Sequence, residues 1–288
     1  MKYYSVDDIR SNVPQADIYC TGSDQMWNSG WNDGIEHSYY LDFVSDKPKF
    51  SFSTSIGMNE FPNSEVIEIV ELLNKYNFIT VRETSAVELL KKNCIESEYV
   101  LDPTLMVDCH FWSSFSERTV KKYESQKYIL LYQLNLSHDN VNLVSYVRFL
   151  SEEMHMPVKV IAYGITHRKH FDEYIFMPTM EEYVSLIKNA EYVVTDSFHG
   201  TSFCINLNRQ FTVVYPHKYA TRIENILELC NLQDRVLSAQ YGDIHQRAID
   251  YSGVNKVMDT LRRDSIEKIE QGLSTICSVT SIKRSNAL

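Results

Sequence analysis

The run Thr195-Asp196-Ser197-Phe198-His199-Gly200 brings a carboxylate, hydroxyls and an imidazole into one short stretch. It follows the apolar residues Tyr192-Val193-Val194 and leads into an amphipathic segment, the pattern of a buried strand, a tight turn and a helix. Such a junction aims backbone N–H groups and the positive end of a helix dipole at one spot, which favours an anion. His199 adds a group that can give or take a proton near neutral pH.

Other polar residues follow other strand-like runs. Gly22-Ser23-Asp24-Gln25 follows Asp17-Ile18-Tyr19-Cys20, Arg82-Glu83 follows Phe78-Ile79-Thr80-Val81, and Asp102-Pro103-Thr104 follows Glu98-Tyr99-Val100-Leu101. Further on come His167-Arg168-Lys169-His170 and Pro216-His217-Lys218. In parallel sheets these strand ends share one side, where ligands bind. Each residue also has a plain structural reading. Asp196 and Ser197 are good helix N-caps, His199 could be a satisfied structural histidine, and Asp24 suits a turn. Arg82 could pair with Glu83 or Glu88 on a solvated face, and 167–170 could be a solvated basic loop. Trp27 and Trp31 read as packing residues.

The elements that position these groups alternate between strand and helix. Lys49–Ser53, Tyr128–Tyr132, Val158–Ala162 and Phe211–Val214 read as further strands. Val66, Ile69, Val70 and Leu73 mark a helix between Ser64 and Tyr76. Others are expected over 140–153, around Tyr183, Leu186, Ile187 and Ala190, from about Arg222 to Cys230, and over 254–276. Strict alternation argues for parallel sheets covered on both faces. The expected division is an N-terminal Rossmann-like domain over 1–108, a linker over 109–126, a second Rossmann-like domain over 127–250 and a helical tail over 251–288.

Composition narrows the class. A formal net charge of −10 over 288 residues argues against a general nucleic-acid binder. The six cysteines show no C-x-x-C spacing and read as reduced thiols. The start of the chain has no apolar leader core and no stretch is long enough to cross a bilayer, so a cytoplasmic protein is expected. Scattered histidines make no metal site, and the P-loop, G-x-G-x-x-G and G-x-S-x-G patterns are absent.

With these residues in view, the chain resembles the polysaccharide pyruvyl transferase family. The resemblance rests on Asp17–Asn28, with its Gly22-Ser23-Asp24-Gln25-Met26-Trp27 core, and on Tyr192–Thr201. Val81–Ser85, Val100–Leu105, Arg222 and Asn231–Arg235 lie between or after them in matching order. The family usually carries a further strand and Gly/Asn-rich loop before the first of these segments, so an N-terminal domain lacking its first β–α unit is expected. The resemblance implies a GT-B-like fold, two Rossmann-like domains facing a cleft. It implies transfer of pyruvate from phosphoenolpyruvate, as donor substrate and without a cofactor, to a sugar hydroxyl of a cell-surface glycan, usually as a ketal. The acceptor would be nucleotide- or lipid-linked; peripheral membrane association and homo-oligomerisation stay open. By the same resemblance Arg82 grips an anion, His199 is the acid–base residue or phosphate partner, and Asp24 holds or deprotonates the acceptor hydroxyl. Ser23, Gln25, Ser197, Gly200, His167 and Arg168 would line the substrates. A nucleotide-sugar glycosyltransferase and a non-catalytic shortened homologue are the alternatives.

Overall fold

A computed structural model describes residues 2–119, 123–124, 126–134, 141–163, 171, 173–216, 220–237 and 242–285. The chain divides into two compact units, one made of Met1–Met106 and Asp259–Leu288, the other of Val107–Met258. Among the described residues, no helix is long and apolar enough to cross a membrane.

The first unit carries four short parallel strands, β1 (Tyr19–Thr21), β2 (Lys49–Ser51), β3 (Thr80–Val81) and β4 (Glu98–Tyr99). β1 pairs with β2 and β3 with β4, and isolated bridges at Phe50–Phe78 and Thr54–Val81 join the two pairs. Buried hydroxyls reinforce this ladder: Ser51 Oγ donates to the Thr80 carbonyl at 2.9 Å, and Thr80 Oγ1 to the Ser51 carbonyl at 2.6 Å. Helices α1 (Val6–Ser11), α2 (Ser29–Asn32), α3 (Val66–Leu73), α4 (Thr84–Lys92) and α5 (Pro103–Met106) connect and cover the strands. α3 and α4 turn Ile69, Leu72, Leu73, Ala86, Leu89 and Leu90 into a core with Trp27, Tyr40, Ile56 and Val81. Trp27 packs there as expected, stacked on Tyr40, whereas Trp31 is exposed.

The second unit begins with α6 (Cys109–Ser116), capped by Asp108 and packed on a later helix through Trp112 against Phe203. A linker was the sequence expectation here; aromatic residues at helical spacing make it an ordered element instead. β5 (Ile129–Tyr132), α7 (Val141–Met154), β6 (Val158–Ala162), β7 (Glu173–Phe176), α8 (Met180–Asn189), β8 (Tyr192–Thr195), α9 (Phe198–Asn206), β9 (Gln210–Val213) and α10 (Thr221–Leu229) follow. The five strands form one parallel sheet in the order β7-β6-β5-β8-β9. β5, β6 and β8 are buried along their whole length, which is why they read as near-continuous apolar runs. β7 lies at the edge and only Ile175 in it is fully buried, so its apolar signal is thin.

The last helix, α11 (Tyr251–Ser285), gives Val254 and Met258 to the second unit's core and its remainder to the first unit. In the first unit Ser265 Oγ accepts the Leu101 amide at 2.9 Å, and Gly272 lies against the Phe78 ring.

Glu83 shows how the first unit's loops are held. It precedes α4 but makes no capping bond there. Its Oε1 instead accepts from Ser55 Oγ and from the Ile56 and Gly57 amides at 2.8 to 2.9 Å. Replacing Glu83 with Ala leaves two buried amides unmet and should cost about 3 kcal/mol of stability, read by urea denaturation.

Candidate active site

Parallel order places a particular gap at the centre of the second unit. The chain leaves β5 toward β6 and β7 on one side, then crosses to β8 and β9 on the other. The C-terminal ends of β5 and β8 therefore flank the topological switch point, where α/β sheets bind ligands. The Thr195–Gly200 turn sits there. Asp196 Oδ1 accepts the Leu134 amide at 2.7 Å, tying the residue after β8 to the chain just beyond β5. Ser197 caps α9 by accepting the Gly200 amide at 3.3 Å, and its own amide donates to Thr195 Oγ1 at 3.1 Å. A Cβ on Gly200 would stand 2.4 Å from Thr195 Oγ1 and 3.0 Å from the Tyr132 ring, so only glycine lets α9 start this close to β5 and β8.

From Tyr192 to Leu207 every residue is buried except His199, which is half-buried. Its imidazole meets the Phe198 ring edge-on at 5.3 Å between centroids, and the Arg222 guanidinium lies 5.6 Å from the same ring's centre. A cation, an imidazole and a helix N-terminus thus gather at one strand end, a combination suited to a phosphate or carboxylate. Ser197 is the N-cap of α9, whereas the Asp196 carboxylate accepts the Leu134 amide.

Two residues here carried no assigned role in the sequence. Arg222 was one residue of the family resemblance, and its signal was its place at the start of the helix after β9, on the ligand side of the sheet. Tyr132, the last residue of β5, sets its ring 6.1 Å from that of Tyr163 and against Gly200 at the start of α9. Burial, reinforced by Tyr163, pushes its hydroxyl well above the ordinary tyrosine range. His167 and Arg168, with His217 and Lys218, lie outside the described residues.

The first unit gathers Ser23, Asp24 and Arg82 with Asp102. Arg82 is buried and donates from Nη1 to Asp102 Oδ2 at 2.6 Å and to Ser23 Oγ at 3.2 Å, and from Nη2 to Asp24 Oδ1 at 2.9 Å. Burial alone would lower its pKa, but Asp102, Glu83 and Asp24 outweigh that and raise it above the ordinary value. This corrects one expectation: Arg82 is not on a solvated face with Glu83 or Glu88 but is buried, one cation facing two carboxylates. Ser23 Oγ also donates to Asp102 Oδ2 at 2.9 Å, and Gln25 Oε1 accepts from Asn28 Nδ2 at 2.7 Å, so both are engaged in holding the loop. Asp24 differs. Its side chain is 60% exposed, and its backbone sits at φ 94°, a conformation rare for a residue with a Cβ. Arg82 and the Gln25 amide, at 2.9 Å, both hold Oδ1 of this exposed carboxylate.

Solved structures share this architecture at low identity. Staphylococcus aureus MnaA, solved with UDP, matches with a TM-score of 0.52 and 11% identity, over 83% of this chain and 66% of that one. The Burkholderia multivorans α,α-trehalose-6-phosphate synthase gives 0.55 and 9%, over 98% and 74%. The Methanocaldococcus jannaschii UDP-GlcNAc 2-epimerase, in complex with UDP-GlcNAc and UDP, gives 0.50 and 12%, over 89% and 71%. The chain thus spans just under two thirds of MnaA's length. No curated protein matches it in sequence. Parallel sheets and these likenesses define an α/β protein of GT-B-like fold. The chain belongs to the polysaccharide pyruvyl transferase family, whose sequence pattern matches residues 1–218.

Two outcomes check this geometry. Gly200→Ala should lower stability by about 1–3 kcal/mol through overpacking at the start of α9, measured by urea denaturation. Arg82→Met should cost about 3–5 kcal/mol without any ligand present, because it leaves the Asp102 carboxylate buried and unpaired. An Arg82→Met protein as stable as the wild type would return that arginine to a ligand role.

Proposed function

We propose that this chain transfers the pyruvyl group of phosphoenolpyruvate to a hydroxyl of a saccharide. The observation that carries the reading is the meeting of Ser197, His199 and Arg222 at the start of α9, on the switch point of a parallel sheet, in a chain of this family. Phosphoenolpyruvate has two anionic groups and an enol carbon–carbon bond. The α9 N-terminus and Arg222 supply the positive potential for the anions. His199 is the proton donor to the methylene carbon, which leaves the neighbouring carbon electron-poor and open to a sugar hydroxyl. Having given up its proton, His199 is then the base that takes the proton of that hydroxyl. Attack by a second hydroxyl on the same carbon, with departure of inorganic phosphate, gives the ketal. The acceptor in this reading is a nucleotide- or lipid-linked saccharide, and His167 and Arg168 stay candidates for its phosphate.

Calorimetric titration is the direct test. Phosphoenolpyruvate should release or absorb heat with the wild type, and Arg222→Gln should weaken its binding about tenfold or more through loss of a charged hydrogen-bonding partner. His199→Ala should bind the donor and slow turnover about 100-fold or more, the usual contribution of one proton-transfer group. Heat with UDP-GlcNAc and none with phosphoenolpyruvate would overturn the reading in favour of nucleotide-sugar chemistry.

A further inference from the structure

The first unit has a second opening, at the end of its sheet away from Asp24 and Arg82. Phe78 and Ile79, just before β3, Glu98 at the start of β4, and Lys91 in the last turn of α4 all line a cavity of about 580 Å³. That is the size of a small-molecule site, which runs from about 300 to 1,000 Å³. β3 and β4 are parallel, so the cavity lies at the N-terminal end of both, whereas Arg82 and Asp102 follow their C-terminal ends. Pyruvyl transfer uses none of these residues.

Phe78, Ile79, Val87 and Ile95 make the apolar wall. Ile79 and Ile95 belong to the unit's core, and Phe78 is held by α11, where a Cβ on Gly272 would stand 2.3 Å from its ring. Glu98 is held by the same helix: Lys268 Nζ lies 3.1 Å from its carboxylate and donates to the Tyr99 carbonyl at 3.1 Å. Lys91 and Glu96 differ. Both are exposed and both line the cavity, yet they do not pair with each other. Among the described residues neither side chain makes an ion pair or a hydrogen bond. Two unmatched opposite charges beside an apolar wall select a ligand that carries both signs. A hydrocarbon would cover both charges without pairing either, an anion would meet Glu96 and Glu98, and a cation would meet Lys91.

We infer that this cavity binds a free α-amino acid with an apolar side chain. The ligand's carboxylate faces Lys91, its ammonium faces Glu96, and its side chain lies on the wall of Phe78, Val87 and Ile95. The site is separate from the anion site at α9 and does not depend on the chemistry there.

Saturation-transfer NMR with L-leucine and L-phenylalanine reads occupancy directly. The wild type should transfer saturation to the side-chain protons of at least one. N-acetyl-L-leucine lacks the ammonium and L-leucinamide lacks the carboxylate, and each should bind about tenfold or more weakly than leucine, the worth of one charged hydrogen bond. Lys91→Met and Glu96→Gln should each weaken leucine by a similar factor; both positions are exposed, so the fold tolerates them. Cys94 reports the location. Its exposed thiol lines the cavity, so leucine should slow its alkylation by iodoacetamide and leave that of Cys20, exposed on β1, unchanged. No transfer to either amino acid overturns the site. So does leucine binding that survives both substitutions or leaves Cys94 unprotected, and so does N-acetyl-leucine or leucinamide binding as tightly as leucine.

Discussion

A missing Cβ at position 200 sets the geometry of the second unit. Because nothing projects from Gly200, α9 begins in contact with Thr195 and the Tyr132 ring, and its positive end falls between the ends of β5 and β8. Everything polar at the switch point is arranged around that contact. Asp196 closes the gap to Leu134, Ser197 caps the helix, and the Ser197 amide donates to Thr195 Oγ1. A helix started one side chain's width farther out would lose all three connections together.

The two units spend their charges differently. In the first, a buried guanidinium is matched by two carboxylates, and a third carboxylate, Glu83, is given to backbone amides. These are scaffolding interactions whose loss leaves buried charge or unmet donors. In the second, Arg222 and His199 flank an aromatic ring beside a helix end of positive potential. The pyruvyl-transfer reading puts the anions at that helix end. In the first unit Asp24 holds its carboxylate in an unusual backbone conformation, a place where strain commonly marks function.

The parallel strands were legible because burial on both faces writes them as apolar runs; Val158–Ala162 has the same limits in sequence and structure. β7 was not legible, since an edge strand with one fully buried residue has no such run. α6 was hidden by the polar residues after it, which suggested a linker, although its Phe111, Trp112 and Phe115 carry the packing signal. The Asp-Ser-Phe-His-Gly turn was readable because its local sequence encodes both cap and close approach. Arg82's partners were not. Asp102 lies 20 positions away and Asp24 lies 58 away, and only the folded ladder brings them together.

The burial pattern around His199 has a consequence for how substitutions there will be interpreted. Neighbours on either side are packed in, so changing them disturbs architecture and chemistry at once. The imidazole alone has an outlet to water. In a comprehensive substitution survey of this turn, position 199 is where, on the pyruvyl-transfer reading, a fully folded but slow molecule arises. On that reading, a lineage that retained the signature but lost that one ring would keep the appearance of a catalyst and little of its rate.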